Sequence, residues 1–141
     1  MKVSNNDKKR LLKAIRLAEE NSSGEIRVHF QNKLKDEIYK SAVKKFEKLG
    51  MTKTELRNGV LIYIALKNRE LAIIGDIGIH EKVKTDFWDE TIETMKEHFK
   101  QNDLITGIEK GLEIAGRALK QHFPHRDNDI NELSDEITIE D

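Results

Sequence analysis

The chain has 141 residues, of which 37% are hydrophobic and 36% are charged, and its formal net charge is −1. This length suits one domain with its own core beneath a densely charged surface. The small net charge gives no indication of nucleic-acid binding, and the lack of cysteine excludes disulfides and thiolate metal sites. Because neither a signal-peptide core nor an apolar run of ~20 residues is present, we expect a soluble, cytoplasmic monomer without membrane insertion.

The first part of the chain predicts a helix, a strand and a second helix. Apolar residues at helical spacing predict the first helix, which runs to about Glu20. Residues 25–31 alternate between apolar and polar side chains, which is typical of a strand with one wet face near the edge of a sheet. A second helix begins near Asp36 and ends before Gly50, a residue common just after helix C-termini.

The middle of the chain predicts a β-hairpin. Residues 60–66 form an unbroken apolar run, which suits a strand covered on both faces. A polar break at residues 67–69 separates it from a second apolar run at residues 71–74, so these two strands should be antiparallel. The strand–helix–strand order before the hairpin predicts that strands 25–31 and 60–66 are parallel, with a right-handed crossover.

The last part of the chain is helical up to about Pro124. Gly107 and Gly111 lie inside the final helix, where glycine costs roughly 1 kcal/mol, so we expect close packing there against the sheet or a neighbouring helix. The fold class is therefore α/β, a sandwich with helices on both faces of a small mixed sheet. We assign residues 1–124 to this domain and residues 125–141 to an acidic, flexible tail, in which residues 137–139 could add a short strand.

The predicted strand directions bring several polar groups to one end of the sheet. The starts of the two parallel strands meet the end of the third strand there, followed by the next helical turn. The groups that we expect at this end are Ser23, Gly24, Glu25, Arg57, Asn58, Gly75, Asp76, Gly78 and His80.

This set of groups has two chemical interpretations. Oxygen ligands from Asp76, Glu25 and Asn58 suit a hard cation such as Ca²⁺ or Mg²⁺. A phosphate group could instead contact Arg57 and the backbone amides around Gly75–Gly78, where a helix begins. A purely structural explanation also stays open, in which the glycine pairs form turns and Glu25 forms a surface ion pair with Arg57.

Five segments of the chain together resemble the TPM domain family. Their order and spacing over about residues 5–124 carry the resemblance, and no single motif does so alone. The segments are Ser22–Val28, Leu49–Met51, Arg57–Ile64, Gly75–His80 and Gly107–Gly111.

The resemblance implies a compact three-layer α/β/α sandwich with a sheet of about four strands, one more than the pattern alone places. Family members have been described as acid phosphatases of photosynthetic membranes or as accessory domains for membrane protein complexes, and divalent cations, often calcium, are associated with the fold. By resemblance, Asp76 is the best single site residue, with Glu25 and Asn58 beside it. Many relatives carry a signal peptide and a membrane helix, whereas this sequence favours a stand-alone soluble form.

Two functional hypotheses follow. In the first, a Ca²⁺ or Mg²⁺ ion held by Asp76, Glu25 and Asn58 supports hydrolysis of a phosphomonoester or nucleotide. Arg57 would neutralise developing charge and His80 or a carboxylate would move a proton, while the substrate would also contact Ser23, Gly24, Asn58, Gly75 and Gly78. In the second, the same end of the sheet binds calcium without catalysis, and the domain serves a protein complex whose partner is unknown.

Overall fold

The computed structural model describes residues 2–83, 85–124 and 137–141. It contains five helices and four strands within these ranges. In chain order they are α1 (Asn5–Glu19), β1 (Glu25–Gln31), α2 (Ile38–Lys48), β2 (Gly59–Ala65), β3 (Glu70–Gly75), α3 (Ile77–His80), α4 (Thr85–Lys100), α5 (Leu104–His122) and β4 (Ile137–Glu140).

The four strands form one mixed sheet in the order β3-β2-β1-β4. Strands β1 and β2 are parallel and are joined through α2, whereas β2 and β3 form an antiparallel hairpin. Strand β4 lies on the other side of β1 and is parallel to it. The predicted hairpin, the parallel crossover pair and the α/β fold class with a mixed sheet are therefore confirmed.

The alternation of side chains along the strands gives each face of the sheet its own core. One face packs against α2, through a cluster that includes Leu61, Tyr63 and Ile74. The other face carries Val28, Phe30 and Ile62, whose cluster includes residues from α1, α4 and α5. Helices thus cover both faces of the sheet, as the three-layer arrangement requires.

Helix α5 packs closely against α4 through its glycines. A Cβ atom added at Gly111 would lie 2.5 Å from the Met95 sulfur, and one at Gly107 would lie 2.8 Å from the Cβ of His98. The expectation of close packing at these two positions is confirmed, and the neighbour is a helix rather than the sheet. Among the helices within residues 2–83 and 85–124, none combines the length and apolarity needed to cross a membrane.

Strand β1 differs from the prediction of a wet strand near the edge. All seven of its residues are buried, because β1 lies between β2 and β4. Two of its polar side chains have partners in or just after β4. His29 Nδ1 lies 2.6 Å from the Thr138 hydroxyl, and Gln31 Nε2 donates to the carbonyl oxygen of Asp141 over 2.9 Å. Polar groups that are paired in this way can be buried without a large cost.

The end of the chain also differs from the predicted flexible tail. Residues 137–140 form the fourth strand. The family resemblance implies about four strands, whereas the sequence pattern indicates a strand at residues 137–139 only as an alternative. Lys45 of α2 forms an ion pair with Glu140 and so ties this strand to the helical layer beside it. The rest of the predicted tail, residues 125–136, lies outside the described residues.

Candidate functional site

The predicted convergence of three strand ends is present in the structure. The Asp76 backbone N–H donates to the Gly59 carbonyl over 3.0 Å, and Glu25 lies beside Gly59 in the β1–β2 register. Asn58 Nδ2 donates to the Ser23 hydroxyl over 3.4 Å. We use the term sheet-end site for the group formed by Ser23, Glu25, Arg57, Asn58 and Asp76. Their roles in binding or catalysis stay predictions.

An ion pair between Arg57 and Asp76 organises one side of the sheet-end site. Arg57 Nε donates to Asp76 Oδ2 over 2.6 Å and Nη2 donates to Oδ1 over 2.8 Å, so the contact is bidentate. This hydrogen bonding raises the pKa of Arg57 above its usual value. Asp76 Oδ1 also accepts the Ile77 N–H over 2.8 Å, which caps α3. The carboxylate thus holds both the arginine and the start of the helix.

Glu25 is buried, whereas the structural explanation that the sequence left open placed it in an ion pair at the surface. Its exposed fraction is only 4%, because it lies at the start of the central strand. By strand alternation its side chain and that of Asp76 leave the sheet on the same face, with Gly59 between them. Two carboxylates therefore flank Gly59, over which the Met51 carbonyl oxygen lies 3.1 Å from where a Cβ would be.

The backbone amides predicted to bind phosphate already donate hydrogen bonds within the protein. The Gly78 N–H donates to the Arg57 carbonyl over 2.9 Å, and the Ile77 N–H caps onto Asp76. A Cβ at Gly75 would lie 2.8 Å from Ile79 Cγ2, and one at Gly78 would lie 2.3 Å from the carbonyl oxygen of Leu56. The geometry thus gives these two glycines a packing role, and the expected phosphate contact through amides at the start of α3 is not available.

Neighbouring side chains also fill the space around Gly24, whereas Ser23 is partly exposed. The Gly24 N–H donates to the Ser22 hydroxyl over 2.9 Å, and a Cβ there would lie 2.6 Å from a methyl carbon of Leu119. The Ser23 N–H donates to the Phe123 carbonyl over 2.8 Å, which brings the end of α5 to this edge. Ser23 is half-buried, and its hydroxyl donates to the Phe123 carbonyl over 3.3 Å while it accepts from Asn58 Nδ2.

His80 and Thr54 complete the surroundings of the site. His80 is exposed at the end of α3, one helical turn after Asp76. Its backbone N–H donates to the Asp76 carbonyl over 3.2 Å. Thr54 is buried and its hydroxyl accepts the Asn58 N–H over 3.2 Å. The sequence analysis missed Thr54; its only signal was a polar residue shortly before an Asn-Gly pair.

Asn58 provides the structural test of whether a cation fits here. Its exposed fraction is 1%, and its Oδ1 atom is buried with no hydrogen-bond partner among the residues that the structure describes. Such an acceptor normally has a partner, and a hard cation is one that amide oxygens bind well. Within the same residues no group of three or more His, Cys, Asp or Glu side chains is placed to hold a metal. The observation in favour of Ca²⁺ or Mg²⁺ is thus the single amide oxygen of Asn58, and cation binding stays a prediction.

Twelve chains of solved structures match this fold, among them the following three. The NMR structure of the BA42 protein from the psychrophilic bacterium Bizionia argentinensis is 40% identical, with a TM-score of 0.90, and the match covers 99% of this chain and 96% of that one. The N-terminal domain of a P. gingivalis protein has 16% identity, a TM-score of 0.73 and coverage of 87% and 82%. The N-terminal domain of the cg2496 protein from Corynebacterium glutamicum has 14% identity, a TM-score of 0.68 and coverage of 93% and 82%. The last two similarities concern the fold alone.

The sequence was also compared with protein-family models and with curated proteins. The comparison with curated proteins found no match. A family model described as the TPM domain matches residues 3–118, which include every residue of the sheet-end site. Because this match covers most of the sequence, the chain belongs to the TPM domain family.

Proposed function

We propose that this chain hydrolyses phosphate esters with the help of a divalent cation bound at the sheet-end site. The observation that carries the proposal is the buried Asn58 Oδ1 atom, which lacks a hydrogen-bond partner among the described residues. Asn58 directly precedes β2, the strand between β1 and β3, and its neighbour Arg57 has a side chain that remains 40% exposed. The matching family model is itself named TPM phosphatase, which supports the choice of reaction.

The residues expected to hold the ion are Asp76, Glu25 and Asn58. Asp76 already accepts three hydrogen bonds, from two Arg57 nitrogens and the Ile77 N–H. A carboxylate has about four acceptor positions, so roughly one remains for an ion or its water. When bound, a divalent ion supplies Lewis-acid polarisation of a phosphoryl oxygen.

Arg57 is the residue that would bind the phosphate itself. Asp76 holds its Nε and Nη2 nitrogens, so the guanidinium plane is fixed before a ligand arrives, and the exposed part of the group faces solvent. A planar, oriented guanidinium is well suited to the charge of a phosphate. His80, exposed one turn further on, is the candidate to give a proton to the leaving oxygen as water replaces the ester.

The proposal is tested by measuring phosphate release from p-nitrophenyl phosphate and from a nucleoside triphosphate, with Mg²⁺, with Ca²⁺ and with a chelator. We expect cation-dependent release that falls about tenfold or more in Glu25→Gln and Arg57→Lys. Asp36→Asn is a matched control, because Asp36 is an exposed carboxylate near the start of α2, after the other end of β1. Release that is absent with either cation, or equal in Glu25→Gln and wild type, would refute the enzyme proposal.

A second candidate function is a calcium-binding interaction domain without catalysis. The burial of the candidate ligands favours it, because Glu25, Asn58 and Asp76 are at most 5% exposed. An ion enclosed by such groups would lack the open position that a catalytic ion needs. This candidate predicts that Ca²⁺ raises the unfolding midpoint of wild type and not of Glu25→Gln, with no phosphate release from either protein.

A further inference from the structure

A cavity lies at the opposite end of the sheet from the sheet-end site. Strand β2 leaves the sheet-end site at Gly59, and β3 returns to it from Glu70, so the turn between them is at the far end. A cavity of about 360 Å³ lies beside this turn, and we call it the hairpin-turn cavity. Its lining residues are Arg69, Glu93, Lys96, Phe99 and Lys100.

Arg69 lines this cavity and contacts the turn between α4 and α5. Its backbone has a φ of 53°, in the left-handed region that non-glycine residues seldom adopt. Its Nη2 atom donates to Asn102 Oδ1 over 2.8 Å, which fixes the guanidinium across the gap between the hairpin turn and the α4–α5 turn. An arginine oriented in this way loses little freedom when it binds an oxyanion with its remaining N–H groups.

The cavity has an excess of positive charge that its own residues do not neutralise. Its lining contains three cationic side chains and one acid, whereas the whole chain has a net charge of −1. Within residues 2–83, 85–124 and 137–141, Arg69 and Lys96 form no ion pair. Lys100 has an exposed partner in Glu97 at 4.0 Å, a contact of little strength.

We propose that the hairpin-turn cavity binds a small dianion, with phosphate or dicarboxylate oxygens on Arg69, Lys96 and Lys100. The cavity is large enough for a compact organic anion, and Phe99, which is 3% exposed, gives it an apolar floor. Glu93 lies on the same face of α4 as the two lysines and opposes the anion, so it limits affinity and favours ligands that avoid its side. The proposal is independent of the function proposed for the sheet-end site.

The test is an amide NMR titration of the whole chain with inorganic phosphate and, separately, with succinate at about pH 8, where both are largely dianionic. Chloride at equal ionic strength is the comparison. We expect saturable shifts at Arg69 and at residues 96–102 with each dianion and not with chloride. Shifts confined to Ser23, Arg57 and Asp76 would overturn this site, while supporting phosphate binding at the sheet-end site.

Substitutions then test which charges are responsible. Arg69→Gln/Lys96→Gln should weaken dianion binding about tenfold, whereas Glu93→Gln should strengthen it about threefold, because one removes attraction and the other removes repulsion. Lys8→Gln/Lys9→Gln on α1 removes the same charge elsewhere and should change affinity less than about twofold. Equal weakening by both double variants would show that only the net charge of the protein matters, and no gain in Glu93→Gln would show that the anion does not bind beside this carboxylate; either result would overturn the proposal.

Discussion

Substitution of Gly78 by alanine should weaken both the fold and the sheet-end site. A Cβ at this position would lie 2.3 Å from the Leu56 carbonyl oxygen and 2.6 Å from that of Arg57. Both neighbours are backbone atoms, so they cannot rotate away as a side chain can, and α3 would have to move outward by about 1 Å to restore ordinary contact. That movement breaks or lengthens the 2.9 Å bond from the Gly78 N–H to the Arg57 carbonyl.

The cost can be worked out from these contacts. Overpacking of a rigid site costs about 1–3 kcal/mol, and loss of one backbone hydrogen bond adds about 1 kcal/mol, so we expect the free energy of unfolding to fall by about 2–4 kcal/mol. Urea unfolding followed by circular dichroism measures this difference. Ile77→Ala in the same helix is the matched control: Ile77 is 54% exposed, so its truncation should cost less than about 1 kcal/mol.

A loss below about 0.5 kcal/mol in Gly78→Ala would refute the reasoning, because it would mean that α3 accommodates a methyl group where the structure leaves no room. Cation binding by Gly78→Ala provides a second measurement. Since Arg57 is held through its carbonyl by Gly78 and through its guanidinium by Asp76, the variant should also weaken cation binding at the sheet-end site.

Two further predictions concern the contact between β1 and β4. Burial lowers the pKa of His29 below its usual value of 6.5, so the folded protein binds a proton there less readily than the unfolded chain does. The contribution of His29 to stability is therefore complete above about pH 6.5 and is lost as the pH falls below that value. Between about pH 7.5 and 5.5, the urea midpoint of wild type should drop more than that of His29→Gln. An equal drop would contradict this. Thr138→Val removes the hydroxyl beside His29 Nδ1, which should cost about 1–3 kcal/mol and speed amide hydrogen exchange in β4 relative to β3. Unchanged exchange in residues 137–140 would show that the hydroxyl does not hold the strand.

The hairpin and the crossover were predictable because both depend on local signals. The two apolar runs flank a short polar break, and the alternation in residues 25–31 marks a strand before a helix. The position of β1 in the sheet was not predictable in this way. Its polar face looked solvated, yet His29 and Gln31 are covered by groups more than a hundred residues further along the chain. Periodicity identifies which side chains share a face but not which distant segment covers them.

The sheet-end site was predictable as a place but not as a set of contacts. Strand directions alone bring Glu25, Asn58 and Asp76 together. They do not show that Asp76 binds Arg57, because that pairing depends on the left-handed backbone of Arg57, with a φ of 52° at a residue other than glycine. The Gly75–Gly78 segment also looked like an open helix start. Its amides are instead used internally, because α3 has only four residues and packs directly on the chain before β2.

The pairing of β1 with β4 has a consequence for how the chain folds. Strand β1 is complete by residue 31, whereas its second neighbour begins at residue 137, so the sheet cannot close on that side until the end of the described chain is available. Closing a loop of this length is slow relative to the local hairpin. Until then the central strand presents a free backbone edge, which is a template for pairing with other chains. Newly made or partly unfolded molecules should therefore associate through β1, and a segment present in excess that mimics residues 137–140 should suppress that association.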